Sequence, residues 1–116
     1  RSSDLAYMGS PVEGTVFNTY HNVVTAYIHM DQPGFVQVIA TGYISYGRGW
    51  DYAGTSLLVN GNVAARYEVD GGYTTVCHGY SFWAGAGGHS VTLQFTGVAG
   101  KSRIHHGNII LMGAKR

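Results

Sequence analysis

Apolar and polar residues alternate with a period of two along most of this chain. No stretch repeats apolar residues at i, i+3, i+4 and i+7 over three turns without a glycine intervening, so the pattern predicts strands throughout. The clearest run is 34–46. Val36, Val38, Ala40, Gly42 and Ile44 fall on one face, and Gln37, Thr41 and Ser45 on the other. Phe35, Ile39 and Tyr43 share that second face, which is therefore expected to be covered by something, such as another subunit. The run 90–95 alternates more cleanly, with Val91, Leu93 and Phe95 inward and Ser90, Thr92 and Gln94 outward, as in a half-exposed strand.

Turn chemistry divides the runs. Asn60-Gly61 sits between Leu57-Leu58-Val59 and Asn62-Val63-Ala64, and Asn-Gly tolerates the positive φ angles of a type I′ turn. Asp70-Gly71-Gly72 separates 62–69 from 73–83 and reads as a second tight connection, so these consecutive strands are expected to form a meander. Gly85-Ala86-Gly87-Gly88, Gly97-Val98-Ala99-Gly100 and Asp31-Gln32-Pro33-Gly34 break the chain again. Strands are thus predicted near 14–20, 22–30, 34–46, 55–60, 62–69, 73–83, 89–96 and 103–113. Such spacing suits an all-β, antiparallel two-sheet jelly-roll sandwich of about eight strands over 14–116, with 1–13 as an N-terminal tail or linker. In the last run Ile104, Asn108, Ile110 and Met112 are placed on one face and His105, Ile109 and Leu111 on the other. Either that strand is central and covered twice, or one of its faces enters an oligomer interface.

Composition narrows the function. The chain has 116 residues, 45% hydrophobic and 11% charged, with a net charge of +1, which fits one folded domain. Its basic residues, Arg1, Arg48, Arg66, Lys101, Arg103, Lys115 and Arg116, are scattered or terminal, so no nucleic-acid partner is expected. The longest unbroken apolar run, 109–112, is far short of the roughly 20 residues of a spanning helix, and no membrane insertion is expected. Cys77 is the only cysteine, which excludes an internal disulfide; in a strand it is expected to be a small buried residue. A chain starting at Arg1 is expected to be a fragment or processed form of a longer protein.

Gly34-Phe35-Val36-Gln37-Val38-Ile39-Ala40-Thr41-Gly42, Leu58-Val59-Asn60-Gly61, Ala86-Gly87-Gly88-His89-Ser90-Val91-Thr92-Leu93-Gln94 and Ile109-Ile110-Leu111-Met112-Gly113 follow one another in that order. This succession resembles the C1q and tumour-necrosis-factor-like jelly-roll superfamily, in its short microbial and viral versions that cap fibres. The likeness covers about residues 14–113. It implies a homotrimer that recognises a protein or glycan receptor from the end of a phage tail fibre or similar fibrous protein, on a virion or outside the cell. The alternative is a structural module that trimerises, caps a shaft or decorates a capsid without a soluble ligand.

The candidate ligand site is Tyr46, Arg48, Trp50, Asp51 and Tyr52, grouped around Gly47 and Gly49. Aromatic faces cover the C–H face of a pyranose, while Arg and Asp supply paired donors and acceptors for vicinal hydroxyls. The competing reading has Tyr46, Trp50 and Tyr52 packing a sandwich edge or a subunit interface, with Arg48 pairing Asp51 in solvent. The six histidines, His21, His29, His78, His89, His105 and His106, show no metal-ligand spacing, and adjacent His105 and His106 are expected on opposite faces of a strand. The acidic residues match no calcium loop, no carboxylate pair stands out for glycoside hydrolysis, and no serine sits in a nucleophile elbow. Neither a catalytic activity nor a metal or other cofactor is expected.

Overall fold

The computed structural model describes residues 3–15, 18–46, 52–70, 73–99 and 101–113. Nine strands carry most of them: β1 (Ser3–Tyr7), β2 (Val12–Glu13), β3 (His21–Met30), β4 (Gly34–Tyr46), β5 (Tyr52–Val59), β6 (Asn62–Asp70), β7 (Tyr73–Ala84), β8 (Gly87–Gly97) and β9 (Ser102–Gly113). They form two antiparallel sheets. The first runs β1-β9-β4-β7, with β2 also paired to β9; the second runs β3-β8-β5-β6. The all-β jelly-roll sandwich expected from the alternation is the fold observed.

Among the described strands, only β5 and β6 are joined as a hairpin within one sheet. Asn60 and Gly61 hold φ values of 52° and 84° there, both positive as a type I′ turn requires. From β2 on, each other connection passes from one sheet to the other. This corrects the expected meander: β6 and β7 are the last strands of different sheets and do not pair with each other.

The core lies between the sheets. Val36, Val38, Ala40 and Ile44 of β4 and Ile104, Ile109 and Leu111 of β9 meet Leu57 of β5 and Val91, Leu93 and Phe95 of β8, all buried. Each of these side chains larger than alanine contributes about 1.5–3 kcal/mol by leaving water.

Three local expectations differ from the structure. The presumed tail supplies β1 and β2, which run along β9 from Ser3↔Met112 to Glu13↔Arg103. The predicted strand near 14–20 has no strand at its described residues; Asn18 takes φ 69°, and Tyr20 lies across the second sheet instead. In β9 the alternation slips: His106 has φ 54°, and the β4–β9 register shifts between Thr41 and Tyr43. That bulge puts Ile104 on the same inward face as Ile109 and Leu111, not with Ile110 and Met112.

Candidate functional site

Sheet register builds a broad apolar surface on the outside of the first sheet. Leu5, Ile110 and Ile39 are consecutive partners across β1, β9 and β4, so their side chains form one row. Beside it, Phe35 pairs with Trp83 and meets its ring edge-on at a centroid distance of 5.1 Å. Met112, Tyr7 and Tyr43 extend the surface along the strands. Phe35, Ile39 and Tyr43 are the side chains that share the second face in the sequence pattern, and the whole set is exposed, Trp83 by 51% and Met112 by 54%. β9 is therefore central within its sheet, with its inner face in the core and its outer face open.

Polar residues on this face are small or neutral: Thr41 donates to Asn108 at 2.7 Å, and Gln37 and Ser81 lie in the next row. Arg103, at one end, is ion-paired with Glu13. Cys77 also lies here, exposed, contrary to its expected burial. Period two puts its neighbour His78 in the core, where Thr55 of the facing sheet bonds its Nε2 at 2.7 Å. One strand cannot turn adjacent side chains inward, and the one with a partner across the sandwich takes the buried place.

Burial pushes the His78 pKa below the usual 6.5. The neutral ring is the native form, so its contribution to stability is complete above about pH 6.5 and is lost as pH falls through the lower folded value. Unfolding in urea at pH 7.5 and pH 5.0 should show a loss of stability in acid that His78→Gln reduces.

His105 and His106 do not point to opposite faces as expected. The bulge brings their ring centroids to 6.1 Å, and His105 Nε2 lies 3.0 Å from Ser45 Oγ. Among the described residues no group of three or more His, Cys, Asp or Glu side chains is placed to hold a metal.

Of the predicted ligand residues, the structure places two, at one end of the sandwich. Tyr46 closes β4 and Tyr52 opens β5, 44% exposed; Arg48, Trp50 and Asp51 lie outside the described residues. What holds the two ends of this loop was missed from the sequence. Ser102 pairs with Tyr46 in the first sheet, while its hydroxyl donates to the Tyr52 carbonyl at 3.2 Å in the second. The backbone N–H of Val98 donates to the same hydroxyl at 3.2 Å. One buried serine thus clamps both ends of the loop, and nothing in the local pattern around residue 102 signals it.

The outside of the second sheet is different in kind. Asn22, Gln94, Ser56 and Arg66 form one row, with Gln94 donating to Asn22 at 2.8 Å. Tyr20 lies under the Arg66 guanidinium, 4.4 Å from ring centroid to carbon, and donates to Glu68 at 3.0 Å. Gln94 and Ser90 are partly open on this side, but Thr92, expected to be wet, is buried and bonded to Thr25 at 3.0 Å. A central strand shields its short side chains with those of its neighbours.

No protein-family model matches this sequence, and comparison with curated proteins gives no significant match. Solved structures share its fold. The chain is similar to the Eiger TNF of S. frugiperda, with a TM-score of 0.62 at 12% identity over 99% of this chain and 94% of that one. It is also similar to the CBM36-1 domain of a multidomain xylanase from the hindgut metagenome of Trinervitermes trinervoides, with a TM-score of 0.55 at 15% identity over 98% and 99%. A third likeness, with a TM-score of 0.60 at 8% identity, takes in 99% of this chain and 13% of the dimeric latent PorU from Porphyromonas gingivalis. At such identities the likeness establishes the jelly-roll fold and no more.

Proposed function

We propose that this chain is a non-enzymatic binding head. It assembles as a homotrimer through the outer face of its first sheet and recognises a cell-surface glycan or protein receptor through the loop between Tyr46 and Tyr52. A phage tail fibre or similar fibrous protein, on a virion or outside the cell, is the setting the sequence resemblance favours. The observation that carries the reading is the outer face of the first sheet, which turns Leu5, Ile39, Ile110, Phe35 and Trp83 to water, whereas across the second sheet Asn22, Gln94 and Arg66 make a polar row over a buried Ser56. Exposed apolar surface of that extent marks an interaction site. Between Arg103 and the Phe35–Trp83 pair the described residues of this face carry no Lys, Arg, Asp or Glu, so copies of one chain can approach without like-charge repulsion.

Two fold neighbours are a TNF and a carbohydrate-binding module, which supports a binding role. Four carboxylates support it too, since each has a separate partner: Asp4 the Tyr27 N–H, Glu13 Arg103, Asp31 His29 and Glu68 Tyr20. Among these four no two face each other across a cleft as hydrolysis of a glycoside needs.

The experiment compares wild type, Trp50→Ala and Ile39→Glu on glycan arrays and on receptor-bearing cells. Trp50→Ala is expected to abolish retention by removing the contact itself. Ile39→Glu is expected to weaken it by about 10²–10⁴ through lost multivalency. Wild type failing to bind any surface, or Trp50→Ala binding as wild type does, would contradict the ligand site and leave the structural trimerisation module.

A further inference from the structure

Groups that lie far apart in sequence meet at the end of the sandwich opposite the 46–52 loop. β5 runs away from Tyr52, so the Asn60 turn that follows it is roughly 25 Å distant, at about 3.4 Å per residue. There β1, β3, β8 and that turn enclose a groove of about 520 Å³, lined by Asp4, Tyr27, His29, Asn60, His89 and Ser90 among others. This is within the size range of small-molecule sites.

One wall is held by a hydrogen-bond chain whose directions can be read in full. The Ser90 N–H can only donate, so the atom it meets at 2.9 Å is Asn60 Oδ1. Asn60 Nδ2 therefore donates to His89 Nδ1 at 2.9 Å, and the proton on His89 Nε2 goes to the Gly85 carbonyl at 2.7 Å. Every polar atom of the Asn60 and His89 side chains is accounted for within the wall. Opposite, Asp4 Oδ2 accepts the Tyr27 N–H at 2.9 Å, which closes the edge of β3 and fixes the carboxylate.

What remains turned outward is chemically specific. The Tyr27 ring is 68% exposed. Its hydroxyl, the Ser90 hydroxyl and the second Asp4 oxygen have no protein partner among the described residues, and His29 has only the 3.6 Å contact to Asp31. A flat ring bearing its own hydroxyl and flanked by a carboxylate, the Ser90 hydroxyl and an imidazole matches a ligand with one C–H face and several hydroxyls. We propose that this groove binds a sugar unit, with its C–H face on Tyr27 and its hydroxyls on Asp4, Ser90 and His29. The wall is rigid before the sugar arrives, so little ordering is needed on binding. This site depends neither on the assembly face nor on the 46–52 loop.

The test is an amide-shift titration of ¹⁵N-labelled protein with the methyl glycosides of glucose, galactose, mannose, xylose and N-acetylglucosamine. At least one is expected to shift the Tyr27, Asn60, Gly88 and Ser90 amides saturably. Tyr27→Ala should weaken that binding tenfold or more and Tyr27→Phe much less, with the remaining amides of both variants unmoved as the check on folding. The proposal is overturned if none of the five sugars shifts these amides, or if Tyr27→Ala binds as wild type does. Shifts confined to the loop end would overturn it while supporting the first site. Shifts of the groove amides on dilution alone would assign the groove to a neighbouring copy, and so also overturn it.

Discussion

Ile39→Glu is expected to reduce the protein in solution to single chains at concentrations where wild type is assembled. Ile39 lies mid-row between Ile110 and the β7 edge, on the face proposed to meet other copies, and is 41% exposed in the single chain. Its replacement therefore leaves the core untouched and folding nearly unchanged. In the assembly the same carboxylate loses water with no described cation in its row, at a cost of several kcal/mol. Each 1.4 kcal/mol is tenfold in affinity, so about 4 kcal/mol moves the midpoint of association by roughly a thousandfold. Gln94→Glu places the same charge on the outside of the second sheet and should leave the mass alone. Sedimentation velocity distinguishes the two, and an unchanged mass for Ile39→Glu would mean that this face is not the contact.

Gly97→Ala is expected to cost about 3 kcal/mol, near the upper end for overpacking. A methyl group there would lie 2.5 Å from Ser102 Cβ and 3.0 Å from Phe95 Cζ. The backbone of Gly14 also presses on Gly97 and is tied to Ser102 by its N–H at 2.9 Å, so the crowded atoms cannot retreat outward. Because Ser102 clamps both ends of the candidate loop, the same change should weaken receptor binding beyond its effect on folding. Gly85→Ala, with open space around the added methyl, is the control. Urea unfolding should separate the two by most of that difference; equal stabilities would contradict the packing account.

Wherever neighbouring residues decide the outcome, the fold was readable in advance. The β4 alternation and the Asn60-Gly61 turn are local, and both stand as the pattern predicts. Failures came where distant contacts decide. Leu5 and Tyr7 point outward and Asp4 toward the β3 edge, so β1 shows no ordinary amphipathic strand pattern until β9 is beside it. The bulge at His106 shifts the parity of β9, and a uniform two-residue period cannot anticipate it. His78 takes the inward place and Cys77 the outward one because the β4–β7 register turns Val76, His78 and Ala84 to the core, where Thr55, 23 residues earlier, bonds the imidazole. The candidate loop was visible by its residue types alone, whereas the Ser102 clamp and the groove around Tyr27 arise only when strands far apart in sequence become neighbours.

The most direct measurement is the mass of the wild-type protein by sedimentation equilibrium, from micromolar to 100 μM. The account predicts a species three times the 12.5 kDa chain. A single chain at every concentration would show that the first sheet's apolar face stays in water, and would contradict the claim that it is made to be covered by further copies of the same chain.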